Sequence, residues 1–158
     1  QGTMNNLTFG NEQYQYYETI CSGAPAGPGF DGASGVHVHM TNSRLTDPEV
    51  LESRFPVVLE DFGIRRGSGG AGRWKAGDGT RRVLRFREPM ELAILSGRRK
   101  VASFGVDGGA PGELGRNSVR RLDGAVETLE GCDQTTLQAG EAVEIVTPTG
   151  GGWGKRSD

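Results

Sequence analysis

Apolar and polar residues alternate over short stretches of this 158-residue chain, a spacing typical of β-strands. Within Arg81–Arg87, Leu84 and Phe86 fall on one face, while Val83 and the surrounding arginines fall on the other. Strands that recur at short intervals between glycine-rich turns are typical of an antiparallel sandwich or barrel. Further strands are predicted at residues 13–20, 36–39, 57–66, 90–95, 118–122, 125–129, 135–138 and 142–147.

Two turn sequences predict β-hairpins. Glu88-Pro89 separates the strands predicted at 81–87 and 90–95, so these two runs are expected to pair. Asp123-Gly124 lies between the strands predicted at 118–122 and 125–129, and this dipeptide suits a type I′ turn.

One short helix is predicted at about residues 47–54. Thr46 or Asp47 can cap its N-terminus, and Pro48 fits the first helical position. Phe55-Pro56 ends it, because the residue before a proline avoids the α-helical region. We therefore expect a mainly β fold, an antiparallel sandwich or barrel-like sheets with one short helix and many glycine-rich loops, forming a single domain over residues 1–158.

The composition adds an excess of glycine and argues against several protein classes. Glycine occupies 27 of the 158 positions, about one in six, which favours sharp turns over long helices. No run approaches eighteen apolar residues, so no membrane span is expected. Cys21 and Cys132 form no CxxC motif and are expected to be reduced thiols, as in a cytoplasmic protein.

Charge is distributed unevenly along the chain. Residues 65–100 hold eleven Lys/Arg against three acids, a net charge of +8, while the remainder carries a net charge of −10. Such a basic strip can attract phosphates, nucleic acid or an acidic partner. The alternation within the strip equally fits one solvated face of a β-sheet.

Two glycine-rich segments resemble nucleotide-binding loops and fail on inspection. Residues 67–72 match G-x-G-x-x-G, but a β-patterned run follows where a dinucleotide site requires a helix. Near the C-terminus, Thr149 stands where a P-loop begins with glycine, and Arg156 stands where Ser or Thr must bind Mg²⁺. The chain therefore shows no recognisable nucleotide-binding loop of its own.

Both histidines of the chain lie in one short stretch, Val36–Thr41. On a strand, His37 and His39 project from the same face. That spacing permits two ligands to a metal with a third from elsewhere, or one general base beside one hydrogen-bond donor. It also fits two polar groups at a strand end that pair with backbone or water.

Long segments of the chain resemble the C-terminal part of the hydantoinase B/5-oxoprolinase family. The stretch from His37 to Arg54 and the GSGGAGRW–GDG stretch are the most specific of them. In order, the matching segments are QGTMNNLTFGN (1–11), YYETI (16–20), GAPAGPGFDGASGVHVHMTNSRLTDPEVLESRFPV (23–57), RRGSGGAGRWKAGDGTRR (65–82) and TPTGGGWG (147–154).

The resemblance implies an ATP-dependent hydrolase that opens a cyclic amide, 5-oxoproline or a hydantoin. In this family the hydantoinase A-like region or subunit binds ATP and phosphorylates the amide oxygen, and the B-like part handles the activated species. The resemblance further implies that residues 1–158 are a C-terminal segment, inactive alone, of a larger cytoplasmic and oligomeric enzyme. It implies no nucleic-acid or membrane partner.

The resemblance also suggests which residues take part. His37, His39 and Asp47 are predicted to be catalytic, and Thr41 and Asn42 to bind substrate, because they form the polar cluster of the longest matching segment. Arg98 and Arg99 are predicted to bind substrate, since guanidinium groups suit a carboxylate or phosphorylated ligand. No metal ligand is predicted within the segment. The alternative is a non-catalytic β-rich interaction or assembly module that uses the basic strip 65–100.

Overall fold

Two antiparallel sheets form the fold of the computed structural model, which describes residues 3–38 and 41–156. The first sheet has four strands in the order β2-β1-β5-β8, and the second has five in the order β3-β4-β9-β6-β7. Neither sheet closes on itself, so the mainly β prediction is confirmed as an open sandwich and not as a barrel. In chain order the elements are β1 (Asn5–Gly10), β2 (Gln15–Thr19), α1 (Pro48–Arg54), β3 (Val57–Ile64), β4 (Thr80–Phe86), β5 (Met90–Ser96), β6 (Arg116–Arg120), β7 (Val126–Leu129), β8 (Cys132–Leu137) and β9 (Ala142–Val146).

The apolar core lies between the sheets, because alternate side chains of each strand point inward. On β1, Leu7 and Phe9 are buried while Thr8 between them is exposed. The Phe9 ring centroid lies 5.1 Å from that of Phe86 in the second sheet and 5.0 Å from that of Tyr16. The other buried core residues are Ile20, Leu51, Val57, Leu84, Met90, Leu92, Ile94, Val119, Leu129, Leu137, Val143 and Ile145.

One buried ion pair crosses between the two sheets. Glu18 of β2 accepts two hydrogen bonds from Arg82 of β4, at 2.7 Å from Nε and 2.9 Å from Nη2. Both side chains are 2% exposed. The Arg82 guanidinium also lies 5.2 Å from the ring centroid of Phe62, so the charge is held between a carboxylate and an aromatic face.

The predicted helix is confirmed as α1. Asp47 caps it, accepting from the backbone N of Glu49 at 3.0 Å, and Pro48 lies in the first turn. Leu51 anchors the helix to the core and is fully buried. The helix gives way to extended backbone at Phe55, as the proline after it requires.

The hairpin predicted around Glu88-Pro89 is wrong. β4 belongs to the second sheet and β5 to the first, so this turn carries the chain from one layer to the other. Phe86 and Met90, the residues flanking the turn, are both buried in the core from opposite sheets. Alternation within each run identified two strands but could not show which sheet each one joins.

The hairpin at 118–129 is confirmed as β6–β7, but its turn differs from the expected type. Gly124 donates to the Arg121 carbonyl at 3.0 Å and has φ +85°, whereas Asp123 is not among the residues with positive φ. A type I′ turn needs positive φ at both central residues, so this is a type I turn followed by a left-handed glycine.

Strand β1 was missed by the sequence analysis, and the strand predicted at 36–39 is reduced. Asn5 and Asn6 begin β1 and are buried polar residues, so the alternation of apolar residues there is too short to recognise. In the other stretch only an isolated bridge between Val36 and Ser22 forms. The shared face predicted for His37 and His39 cannot be followed further, because His39 lies outside the described residues.

Candidate functional site

One end of the sandwich gathers four glycine-rich loops, residues 21–35, 65–79, 97–115 and 147–154. At this end β2, β3, β5 and β9 finish, and β1, β4, β6 and β8 begin. The loops bond directly to one another through their backbones. These bonds are Gly77 N to Ala24 O (2.8 Å), Gly32 N to Lys75 O (2.8 Å), Gly70 N to Gly150 O (3.1 Å), Ala110 N to Ala71 O (2.7 Å) and Gly152 N to Ala110 O (2.9 Å).

Glycine is required in these loops because backbones approach one another too closely for a side chain. A Cβ on Gly77 would lie 1.9 Å from the Ala33 carbonyl oxygen, and a Cβ on Gly152 would lie 2.2 Å from the Ala71 carbonyl oxygen. The G-x-G-x-x-G run therefore packs loops together. The run is followed by Trp74, which forms an isolated β-bridge with Trp153, and then by strand β4. Among the described residues no helix follows the run, whereas a dinucleotide site would require one.

Asp78 fixes the shape of the 65–79 loop. Its carboxylate accepts from the backbone N of Gly67 at 3.0 Å and of Gly69 at 2.8 Å, and it pairs with Lys75 at 3.4 Å. Burial raises the pKa of Asp78, but the bonds from Gly69, Gly67 and Lys75 outweigh burial and leave the pKa below its usual value. Asp78 was not predicted from the sequence as a functional or structural residue. Its position between Gly77 and Gly79 could have indicated that its side chain bonds to the backbone of the loop.

His37 lies where the chain leaves the loop end after the Val36–Ser22 bridge. Its Nδ1 atom is 2.7 Å from Oγ1 of Thr41, so this predicted pair does come together. Partial burial lowers the pKa of His37. The imidazole is therefore neutral at pH 7, and the contact with Thr41 orients the ring and leaves Nε2 for another partner. Asn42, the next predicted residue, is exposed.

Asp47 has the N-cap role that the sequence predicted for it or for Thr46. Besides the bond from Glu49, its Oδ1 accepts from the backbone N of Val50 at 3.4 Å. These contacts occupy the carboxylate at the start of α1, where an acidic cap also favours the helix dipole. The structure thus gives Asp47 a structural task beside its predicted catalytic one.

Arg99 joins both sheets at the loop end. It donates to Oδ1 of Asn5 at 2.8 Å, to the Gly97 carbonyl at 2.7 Å and to Oδ1 of Asn117 at 2.8 Å. Burial, and then repulsion from Arg65, lower the pKa of Arg99 to about 10. Its described acceptors are neutral, so the cation is held by hydrogen bonds without a carboxylate among them.

Arg98 precedes this cation in a left-handed conformation, with φ +57°. That backbone turns the chain at the end of β5, and the Arg98 side chain is half-buried. Asn5 and Asn117, which hold Arg99, carried no recognisable signal in the sequence, because each is an isolated amide on a strand.

The predicted site residues form two groups and not one cluster. His37 and Thr41 make one pair, and Arg99 with its two asparagines makes the other, and no hydrogen bond links the two groups within the described residues. Within residues 3–38 and 41–156, no three His, Cys, Asp or Glu side chains are placed to hold a metal ion. Over the same residues no helix has the length and apolarity that crossing a membrane demands.

Several arginines of the basic strip 65–100 form ion pairs with carboxylates from elsewhere in the chain. Arg81 pairs with Glu144 at 2.8 Å and with Asp61, and Arg85 pairs with Glu60. In the loop before β4, Arg65 pairs with Glu113 at 2.6 Å, and on the inner face of β4 Arg82 is buried with Glu18. These four arginines of the strip therefore form ion pairs within the molecule.

The chain matches one protein family over nearly its whole length. The family model described as hydantoinase B/oxoprolinase matches residues 1–156. 5-Oxoprolinase 1 of Arabidopsis thaliana is 49% identical over 154 residues, covering 98% of this chain and 12% of the relative. 5-Oxoprolinase of Dictyostelium discoideum is 44% identical over 156 residues, covering 99% of this chain and 12% of the relative. The chain therefore spans about one eighth of the length of these relatives.

Two solved structures share the fold. ATP-dependent caprolactamase from Pseudomonas jessenii matches with a TM-score of 0.74 at 25% identity, covering 96% of this chain and 28% of that one. The nucleotide-free structure of acetone carboxylase matches with a TM-score of 0.73, covering 97% and 25% of the two chains. At 14% identity, the second match shows likeness of fold alone.

Proposed function

Because the chain belongs to the hydantoinase B/oxoprolinase family, we propose that it is part of a larger ATP-dependent enzyme that hydrolyses a cyclic amide. The observation that carries the proposal is 44–49% identity to two 5-oxoprolinases over nearly the whole chain. The likeness to a caprolactamase, which also acts on a lactam, supports the same reaction class. Among the family substrates, 5-oxoproline is our proposed ring, with a hydantoin as the alternative.

The described residues do not fit a nucleotide site. The G-x-G-x-x-G run is closed by backbone contacts, and α1, the one helix among the described residues, lies outside the glycine-rich loops. We therefore assign ATP and Mg²⁺ to a hydantoinase A-like region or subunit. Such a region would supply the activation of the amide, which an unstrained lactam needs before water can open it.

We propose that the 158-residue segment contributes His37 as a general base. A neutral imidazole held at Nδ1 by Thr41 can accept a proton at Nε2 from an attacking water. His39, Asp47, Thr41 and Asn42 remain proposed participants on the basis of the family motif. Arg98 and Arg99 remain proposed anion-binding groups, with Arg99 also fixing the loop end through Asn5 and Asn117.

The test is ring opening by the longer enzyme carrying His37→Asn. Asparagine keeps a polar atom near the position of Nδ1, so contact with Thr41 survives while the titrating group is lost. We expect kcat to fall by about 10²–10⁴, the usual contribution of a general base. The parent should also lose activity below the lowered pKa of His37, and the variant should not show that limb.

Ser43→Ala serves as the matched control, because Ser43 is exposed in the same segment. Thermal unfolding of each variant separates a catalytic loss from a stability loss. A His37→Asn enzyme with unchanged kcat and an unchanged pH profile assigns His37 a structural role.

A further inference from the structure

We propose that the outer face of the four-stranded sheet is a docking surface, covered by polypeptide of the longer protein that lies outside residues 1–158. The inference rests on the proposal that this segment belongs to a larger chain, and it does not depend on which reaction that chain performs. Three observations support it: the chemistry of the face, its shape, and its difference from the outer face of the second sheet.

The face is defined by the strand register. Its central row runs Tyr17–Thr8–Ala93–Gln134 across all four strands. The next row runs Thr19–Asn6–Leu95–Cys132. Neither of these two rows contains a charged residue, whereas the third row, Gln15–Gly10–Glu91–Thr136, contains the exposed Glu91. The outer side of a solvated antiparallel sheet commonly carries charged residues among its polar ones, and the eight positions of these two rows carry none.

The shape of the face suits a packed partner. Small residues at Thr8, Gly10 and Ala93 form the floor of an open groove of about 1070 Å³. Tyr17 and Leu95 rise beside this floor and are 59% and 56% exposed. The Tyr17 hydroxyl is held by Asn6 at 3.0 Å and Thr19 at 2.8 Å, so the ring is fixed before any partner arrives.

The outer face of the second sheet provides an internal comparison. There Arg81, Arg85 and Arg120 form ion pairs with Asp61, Glu60 and Glu144 across neighbouring strands. That face satisfies its own charges and suits contact with water. The charge network thus lies on the five-stranded sheet, whereas two of the three rows on the outer face of the four-stranded sheet hold only apolar and neutral hydrogen-bonding groups.

The length of the relatives identifies what covers the face. The segment accounts for 12% of the two 5-oxoprolinases and 28% of the caprolactamase chain, so most of each relative lies outside it. The two uncharged rows fit a covering surface made of apolar groups and neutral hydrogen-bonding groups. The remainder of the same longer chain is present at a fixed ratio and high effective concentration, which favours it over a second copy of residues 1–158.

Cys132 provides a direct probe, because this exposed thiol lies in the second uncharged row. Alkylation with iodoacetamide is followed by mass spectrometry of the peptide that contains Cys132, in the 158-residue chain and in the longer protein. We expect at least a tenfold slower reaction in the longer protein, with buried Cys21 slow in both. Equal rates at Cys132 overturn the proposal. Protection that arises in the 158-residue chain as its concentration increases assigns the face to a second copy and also overturns it.

A charge placed on the face gives an independent test. Thr8→Arg introduces a cation on the floor, and Thr128→Arg places the same change at an exposed site of edge strand β7 in the other sheet. In the 158-residue chain both variants should shift the melting temperature by no more than about 2 °C, since surface substitutions cost little. In the longer protein only Thr8→Arg should lower the melting temperature and speed proteolysis. Equal behaviour of the two variants there contradicts the proposal.

Neither readout involves substrate or ATP. A protected Cys132 in a protein without lactamase activity would reject the proposed reaction and retain the docking surface. An accessible Cys132 in an active enzyme would reject the docking surface and retain the proposed reaction.

Discussion

Replacing Arg82 with methionine removes one half of the ion pair that links the sheets. The substitution keeps an unbranched apolar stem of similar length but leaves the Glu18 carboxylate buried without its two bonds from Nε and Nη2. Glu18 would retain only the Tyr16 hydroxyl, at 3.1 Å. Because both partners are 2% exposed, water cannot replace the lost guanidinium without opening the sandwich.

The expected cost follows from this burial. Removing one partner of a buried ion pair destabilises a protein by about 3–5 kcal/mol, since the remaining charge is left uncompensated. For a chain of this size, each kcal/mol lowers the melting temperature by about 2–4 °C. Arg82→Met should therefore lower the melting temperature by roughly 6–20 °C. The double variant Glu18→Leu/Arg82→Met should recover most of the loss, because no buried charge remains.

The assay is urea unfolding of the 158-residue chain, followed by circular dichroism. Arg81→Met is the matched control, since Arg81 is the preceding residue on β4 but makes its ion pairs on the exposed face. Exposed pairs are worth about 0–1 kcal/mol, so this variant should be close to the parent. The reasoning is refuted if Arg82→Met and Arg81→Met have equal unfolding free energies, or if the double variant is no more stable than Arg82→Met.

Three further predictions concern the loops and the helix cap. Gly77→Ala should destabilise the chain by about 1–3 kcal/mol, because the new Cβ would meet the Ala33 carbonyl. Gly63→Ala is the control and should not destabilise it, because the space around Gly63 is open. Equal melting temperatures for the two variants would show that the loops can separate without cost. Asp78 has a lowered folded pKa, so its contribution to stability is present above its unfolded pKa of about 3.9 and is lost as pH falls through the folded value. The difference in unfolding free energy between the parent and Asp78→Asn should accordingly shrink as pH falls from about 5 to about 2, and a constant difference would contradict this. Asp47→Ala should cost about 0.5–2 kcal/mol while Asp47→Asn should cost less, since asparagine also caps helices. If Asp47→Asn is stable but abolishes ring opening in the longer enzyme, Asp47 has its predicted catalytic role as well.

The local elements could be predicted from sequence where several signals agreed. Asp47, Pro48 and the Phe55-Pro56 step fixed both ends of α1 independently, and the structure follows them. The β6–β7 hairpin was identified from its Asp-Gly step, although the turn type was not. Such features depend on neighbours in sequence, which a single chain displays directly.

Assignment of strands to sheets could not be read in the same way. β4 and β5 are separated by three residues and join different sheets, because the burial of Phe86 and Met90 in a shared core decides the pairing. The charge of the 65–100 strip was likewise misleading in isolation. Its neutralising acids, such as Glu18 and Glu144, lie more than 60 positions away along the chain.

In the candidate site too, contacts between residues close in sequence could be predicted and contacts between distant residues could not. The pairing of His37 with Thr41 spans four positions and was within reach of a sequence argument. The anchoring of Arg99 by Asn5 spans 94 positions and was not. Family resemblance indicated a reaction class. Only the structure showed that most of the hydrogen bonds of Arg99 link the two sheets, through Asn5 and Asn117.

We propose that residues 1–158 belong to an enzyme that couples ATP cleavage to opening of a cyclic amide. The most direct measurement incubates the purified longer protein, with its hydantoinase A-like region or subunit, with ATP, Mg²⁺ and 5-oxoproline. ADP and the ring-opened amino acid, glutamate, are then quantified together. We predict that both products accumulate in step and that omission of ATP abolishes glutamate formation. Formation of glutamate at the same rate without ATP, or no ring opening of 5-oxoproline or of a hydantoin, would contradict the account.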